Sequence, residues 1–356
     1  MRIGVPTEIK PLEGRVALVP DAAGEVVRHG HTVLLQTGAG LASGYSDGDY
    51  QQQGVDILPD AAALYGQAEL LLKVKEPIAA EFPLLRSGHR LFSFLHLAAE
   101  PALASVLLAK GLTALAFETV EQGGRLPLLA PMSDIAGRIA VQVGATLLFS
   151  PAGGRGLLLG GLPAAPRGRV VVLGAGEAGG NAAALAAAMG AEVVVFDLSR
   201  AALARMMALG PNVTGLHAYP MAIAEAVREA DLLIGAVLIP GARAPRLVTR
   251  AMIRSMRPGS VVVDIAVDQG GCIETTRPTD YTQPTYVAEG VTHFTVTNMP
   301  GAVPRTASQA LSAVLTSFVL RLAEADWQDD LALRAGINIQ AGKLVHPQVV
   351  ATLGGT

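Results

Sequence analysis

Residues 169–197, RVVVLGAGEAGGNAAALAAAMGAEVVVFD, constrain the fold more than any other stretch of the chain. A β-branched run at 170–172 enters a turn with glycines at 174, 176 and 179. An alanine-rich stretch follows, and a second apolar run at 193–196 ends on Asp197. Strand, G-x-G-x-x-G turn, helix and second strand in that order make the dinucleotide-binding fingerprint of a Rossmann unit, with an acid 18 positions past the last glycine. Gly174 permits the tight turn, Gly176 lets the backbone approach a pyrophosphate, and Gly179 lets the helix pack closely on the sheet. The helix N-terminus offers N–H groups and a partial positive charge to the phosphates. Asp197 is placed to accept hydrogen bonds from the adenosine ribose and to repel a 2′-phosphate, which favours NAD over NADP.

The chain has 356 residues, enough for two domains. Apolar residues make up 51% and charged residues 16%, with a mean hydropathy of +0.41, so a membrane protein has to be tested for. Polar residues interrupt every long apolar window: Lys110 breaks one, and Glu177 and Asn181 break another. The opening MRIGVPTEIK reads as a strand and not as a leader, and Cys272 is the only cysteine, so a cytoplasmic location is expected. The net charge of −3 and the absence of a basic block argue against nucleic acid or an anionic membrane as partner.

Two α/β units are expected. In the first, strands at 2–5, 32–36, 70–74, 90–95 and 113–116 alternate with helices at 20–30, 60–65 and 101–110. A long helix is expected at 133–148, capped by Ser133, and a Gly/Pro-rich junction at 150–168. The second unit carries strands at 170–173, 193–196, 232–235 and 261–264 and a short apolar segment at 292–296. A last helix at 308–325 returns to the first unit. The expected fold class is therefore α/β, with two Rossmann-like doubly wound domains linked by long helices. The first domain is discontinuous, 1–130 plus 305–356, and the second spans 131–304. Two ligands can meet between such lobes.

Four further segments place polar residues where folding alone does not require them. Arg15 follows a strand and a glycine-containing loop. Lys73 and Lys75 alternate with apolar residues, a pattern also found on edge strands. His96 ends an apolar strand, where α/β domains place catalytic groups. Asp264 and Asp268 flank the end of another strand, and one of them is expected to face the nicotinamide. No histidine spacing suggests a metal site.

In order along the chain, RIGVPTEIK, GRVALVP, LLLKVKEP, FLHLAAE, FETV, PLLAPMSDIAGR, VVVLGAGEAGGNAA, DLLIGAVLIPGARAPRLVT, VVVDIAVDQGGCIETTRPT and VTNMPGAVPRT resemble the alanine dehydrogenase family over nearly the whole chain. The resemblance implies reversible NAD-dependent deamination of L-alanine to pyruvate and ammonia by a homohexamer. It implies that Arg15 and Lys75 hold the substrate carboxylate and that His96 and Asp268 form the catalytic pair. The nucleotide contacts it implies, besides the three glycines and Asp197, are Ser133, Val237, Leu238, Ile265, Ala266, Val267, Asp268, Arg277, Val296, Thr297, Asn298 and Met299. Two alternatives share the plan: the NAD-binding subunit of a transhydrogenase, and an amino-acid dehydrogenase with another substrate.

Overall fold

The computed structural model describes residues 1–237, 244–267 and 270–353. Six strands come first: β1 (Arg2–Val5), β2 (Thr32–Gln36), β3 (Asp56–Leu58), β4 (Leu70–Leu72), β5 (Arg90–Ser93) and β6 (Thr113–Ala116). Seven follow in the middle of the chain: β7 (Arg169–Leu173), β8 (Glu192–Asp197), β9 (Val213–His217), β10 (Leu232–Gly235), β11 (Val261–Asp264), β12 (Thr285–Ala288) and β13 (Val291–Phe294). Near the end come β14 (Ile337–Gln340) and β15 (Lys343–Leu344). The chain divides into two compact units, Met1–Met132 with Gly301–Thr356, and Ser133–Pro300.

Each unit is a Rossmann-like sheet. The first runs β15-β14-β6-β5-β4-β1-β2-β3, with β1 to β6 parallel and β14 and β15 antiparallel. The second runs β12-β13-β11-β10-β7-β8-β9, parallel except for the edge strand β12. In both, two strands wind one way from the first strand and the rest wind the other way. Each sheet therefore has a switch point, at β1/β4 and at β7/β10, where ligands bind outside the carboxyl ends of the strands. The sequence shows no repeat that corresponds to this shared order.

In the second unit, Gly179, Ala182, Ala183 and Ala186 recur at helical spacing and form the buried face of the helix Glu177–Ala188. Small side chains there let the helix lie close to the sheet. The long helix is Ala130–Leu147, so Ser133 sits inside it and does not cap it. Proline at the second helical position starts the helix earlier than the apolar pattern suggested. At Gly137 a Cβ would come within 2.1 Å of the Ala178 carbonyl oxygen, so only glycine lets these two helices touch.

The helix Pro304–Ala323 is the one among the described residues long and apolar enough to cross a membrane, and half of it is buried. It packs within the first unit. Its buried stripe includes Leu311, Leu315, Val319 and Leu322, interleaved with Ser308 and Ser312. Ser308 Oγ accepts from the Val16 amide at 2.9 Å; Ser312 Oγ accepts from the Val19 amide and donates to the Ala17 carbonyl, both at 3.0 Å. The two hydroxyls thus replace the strand partners that residues 16–19 lack, directly after Arg15. Ser308→Ala strands a buried amide and is expected to cost about 1–2 kcal/mol, read as a lower urea midpoint.

Candidate active site

In the first unit the loops after β1, β4, β5 and β6 all leave the same edge of the sheet, because these strands are parallel. Arg15 follows β1, Lys75 follows β4, His96 follows β5 and Glu118 follows β6. Arg15 is buried, and Glu13 grips its guanidinium: Nε donates to Oε1 at 2.7 Å and Nη2 to Oε2 at 2.5 Å. Glu13 Oε1 also accepts from the Arg15 amide at 3.0 Å, and Nη1 lies 3.2 Å from Met132 Sδ. A forked, two-point grip of this kind fixes the plane of the guanidinium.

The two lysines have different fates. β4 ends at Leu72 and lies between β5 and β1, so the edge-strand reading of Lys73 and Lys75 does not apply. Lys73 is fully buried between Glu8 at 3.2 Å and Glu81 at 2.8 Å. Tyr65 donates to Glu81, and the Val74 amide donates to Glu8. This cluster ties the loop after β1 to the end of β4. Lys75 is half-buried, and its nearest acid, Glu76, is 3.9 Å away and is also engaged by Lys10. Burial lowers the pKa of Lys75; Arg15 and Lys10 push the same way, and Glu76 opposes them. Arg15 and Lys75 thus share one electrostatic neighbourhood that an anionic ligand would relieve.

His96 lies beyond β5, in the left-handed region at φ 48°. Its ring stacks on Phe94, with centroids 5.9 Å apart and planes 10° from parallel. Glu118 Oε1 accepts from the His96 amide at 2.6 Å and lies 3.7 Å from the ring Nδ1.

The second unit carries the glycine turn. Gly174 has φ 96°, and a Cβ there would lie 2.7 Å from the Ala236 carbonyl oxygen across the switch point. At Gly179 a Cβ would lie 1.8 Å from the Gly174 carbonyl oxygen. At Gly176 nothing lies within 4 Å, and no side chain caps the helix that starts after it. The turn therefore presents open backbone and uncapped N–H groups, which fits a pyrophosphate. Asp197 Oδ2 accepts from the Ala175 amide and Oδ1 from the Ser199 amide, both at 2.7 Å. Each oxygen keeps a lone pair for a ribose hydroxyl.

The other expected nucleotide residues lie in the loops after these strands. Val237 follows β10. Ile265 donates its amide to the Gly235 carbonyl at 2.8 Å, ahead of buried Ala266 and Val267. Val296 and Met299 are buried, Thr297 is half-buried, and Asn298 adopts φ 59°. Arg277 is exposed, its guanidinium 4.3 Å from the Tyr286 ring centre. Ser133 is half-buried on its helix. Leu238 and Asp268 lie outside the described residues.

Asp264, the other acid of its pair, is fully buried and does not face a cleft mouth. Thr276 donates to it at 2.7 Å and the Ala266 amide at 3.2 Å. Burial pushes its pKa from 3.8 up to about 6, against the pull of these hydrogen bonds. The folded state therefore holds this proton more tightly than the unfolded chain. The resulting stability is complete below the unfolded pKa and is lost as pH rises through about 6, a change of about 3 kcal/mol. Urea midpoints of the parent minus those of Asp264→Asn should fall between pH 4 and pH 6 and level off above.

Models described as "Alanine dehydrogenase/PNT, N-terminal domain" and "Alanine dehydrogenase/PNT, C-terminal domain" match residues 4–136 and 140–347. The chain belongs to the alanine dehydrogenase/PNT family. Among its relatives, the alanine dehydrogenase of Bacillus subtilis (strain 168) is 48% identical, covering 99% of this chain and 95% of that protein. The alanine dehydrogenase of Mycobacterium tuberculosis (strain H37Rv) is 46% identical, covering 99% and 97%. A solved L-alanine dehydrogenase superposes with a TM-score of 0.96 at 49% identity, covering 100% and 99%. A transhydrogenase from Sinorhizobium meliloti reaches 0.83 at 30% identity, covering 98% and 99%. Within the family frame, the structure adds Glu13 and Met132 to the residues singled out from sequence, and gives Glu118, of the FETV segment, His96 as its partner. Glu13 had a legible signal, an acid two positions from Arg15, whereas Glu118 and Met132 meet their partners only through the fold.

Proposed function

We propose that this chain is an NAD-dependent L-alanine dehydrogenase, interconverting L-alanine, NAD⁺ and water with pyruvate, ammonium and NADH. The observation that carries this reading is buried Arg15 and half-buried Lys75, which follow the two strands that flank the switch point of a unit that lacks the glycine turn. A transhydrogenase passing hydride between two nucleotides has no need of two such cations for a small carboxylate.

In this reading Arg15 and Lys75 pin the substrate carboxylate, which fixes the direction of the Cα–H bond. When bound, NAD⁺ supplies the acceptor for the Cα hydride. His96 removes a proton from the alanine ammonium before hydride leaves. After passing that proton to solvent, it takes one from the water that attacks the imine carbon, returns it to the nitrogen, and takes the hydroxyl proton as ammonia departs and the carbonyl forms. Imidazole suits both directions, because its ring nitrogen can both take up and give back a proton. Asp268, which the resemblance pairs with His96, would assist water activation or relay the amine proton, and its charge would also compensate the cationic imine. The glycine turn, Asp197 and the loops after β10, β11 and β13 hold the nucleotide, with Ser133, Leu238 and Arg277 completing the set. A cytoplasmic homohexamer is proposed on the same family grounds.

The test is direct. The purified full chain should generate absorbance at 340 nm from L-alanine and NAD⁺ at alkaline pH, and consume NADH with pyruvate and ammonium. Silence in both directions defeats the reading. Turnover that is faster with another amino acid in a substrate panel keeps the chemistry and replaces the substrate.

A further inference from the structure

We infer that Glu118 is the positioning residue for His96, holding its ring so that Nε2 is the nitrogen that exchanges protons with substrate. The inference rests on the proposed role of His96 and adds a residue from a different strand.

Three contacts converge on the Glu118 carboxylate. The His96 amide donates to Oε1 at 2.6 Å, the Leu95 amide lies 3.3 Å from both oxygens, and His96 Nδ1 lies 3.7 Å from Oε1. The first two secure a backbone that needs securing, since φ 48° is unfavourable for a residue with a Cβ. Glu118 itself is fixed from below: it sits in a helical turn at the end of β6, and its neighbour Phe117 is fully buried against Phe92 and Phe94. β6 pairs with β5 in register, Ala116 opposite Ser93, so the acid and the histidine leave adjacent strands at the same level.

The ring is then constrained on two sides. Phe94 covers one face, and Glu118 stands beside the Nδ1 edge. The imidazole is about one-third exposed, against 15% for the Glu118 side chain. With Nδ1 turned toward the acid, Nε2 is the nitrogen on the outward edge. At 3.7 Å the contact is an ion pair in reach and not a hydrogen bond. Catalytic contacts of this type commonly tighten when substrate binds. Its physical effect is twofold: the carboxylate favours the tautomer with the proton on Nδ1, and it compensates the imidazolium formed when Nε2 takes a proton.

Glu118→Gln keeps the shape and an acceptor for the His96 amide while removing the charge. Pyruvate reduction should show kcat lowered on the order of 10-fold or more, with KM for pyruvate within about twofold, because the carboxylate clamp is untouched. NADH titration by fluorescence should match the parent and confirms that the variant is folded. Glu118→Asp, which restores the charge on a shorter arm, should recover part of the lost kcat. Nitrogen-15 spectra of imidazole-labelled protein should show the His96 proton on Nδ1 in the parent and a loss of that preference in Glu118→Gln.

His96→Gln separates the two readings. If it turns over like the parent, the proposed role of His96 falls. If it is inactive while Glu118→Gln keeps the parental kcat and the parental tautomer, His96 stands and the positioning role of Glu118 is overturned. An equal change in kcat and KM in Glu118→Gln, with no rescue by Glu118→Asp, also overturns it, because that pattern reports a turn that has collapsed.

Discussion

Arg15→Ala should raise KM for pyruvate on the order of 10²-fold and, independently, make the first unit less stable. The two effects have separate causes in one contact. In the proposed reading the substrate loses a charged, planar donor. Glu13, whose side chain has no exposed surface, loses the cation that its two oxygens grip. An uncompensated buried carboxylate costs about 3–5 kcal/mol. The double variant Arg15→Ala/Glu13→Gln should therefore regain most of the urea midpoint without regaining the KM. If the double variant recovers substrate affinity instead, Arg15 serves the fold and does not clamp the substrate. Arg15→Lys is no conservative substitute here, because an ammonium cannot span both Glu13 oxygens.

Gly179→Ala should be the most damaging single methyl group that can be added to the second unit. The new carbon would sit 1.8 Å from a backbone oxygen, which no side-chain movement relieves. The helix must move off the sheet, at a cost of about 3 kcal/mol, and the N–H groups aimed at the pyrophosphate move with it. Thermal melting should be lowered and NADH binding largely lost. Gly176→Ala is the matched control. Its backbone is extended, with φ −73° and ψ −162°, and nothing lies within 4 Å, so the methyl group is tolerated. The variant should melt like the parent yet raise KM for NADH on the order of 10-fold, because the carbon fills the space a phosphate approaches. Equal melting of the two variants would show that the glycine at 179 is not there for packing.

What could be read from the sequence was what local pattern encodes. The glycine turn, the strand around 170–173 and the acid at 197 are consecutive, so their spacing alone implies their geometry. The central parallel strands were legible for the same reason, being continuous apolar runs. β3, β9, β12 and β15 were not, because short or edge strands carry exposed and polar residues that dilute the alternation, and in β14 the buried Asn338 interrupts the apolar run. The division of labour between Lys73 and Lys75 was also hidden. Alternation says that they point to similar sides, while the decisive facts are Glu8 and Glu81, 65 and 8 positions away from Lys73. Glu118 is hidden by the same logic: its partner histidine is 22 residues away, joined only by the pairing of β5 with β6.

The carboxylate of Asp197 bears on attempts at redesign. Besides its proposed contact with the ribose, it supplies the acceptor for the Ala175 amide, in the middle of the glycine turn. A coenzyme swap that trades this acid for a small neutral side chain thus also unties the loop expected to cradle the phosphates. Specificity and turn rigidity are one variable here, and a successful exchange has to furnish a new anchor along with the new preference.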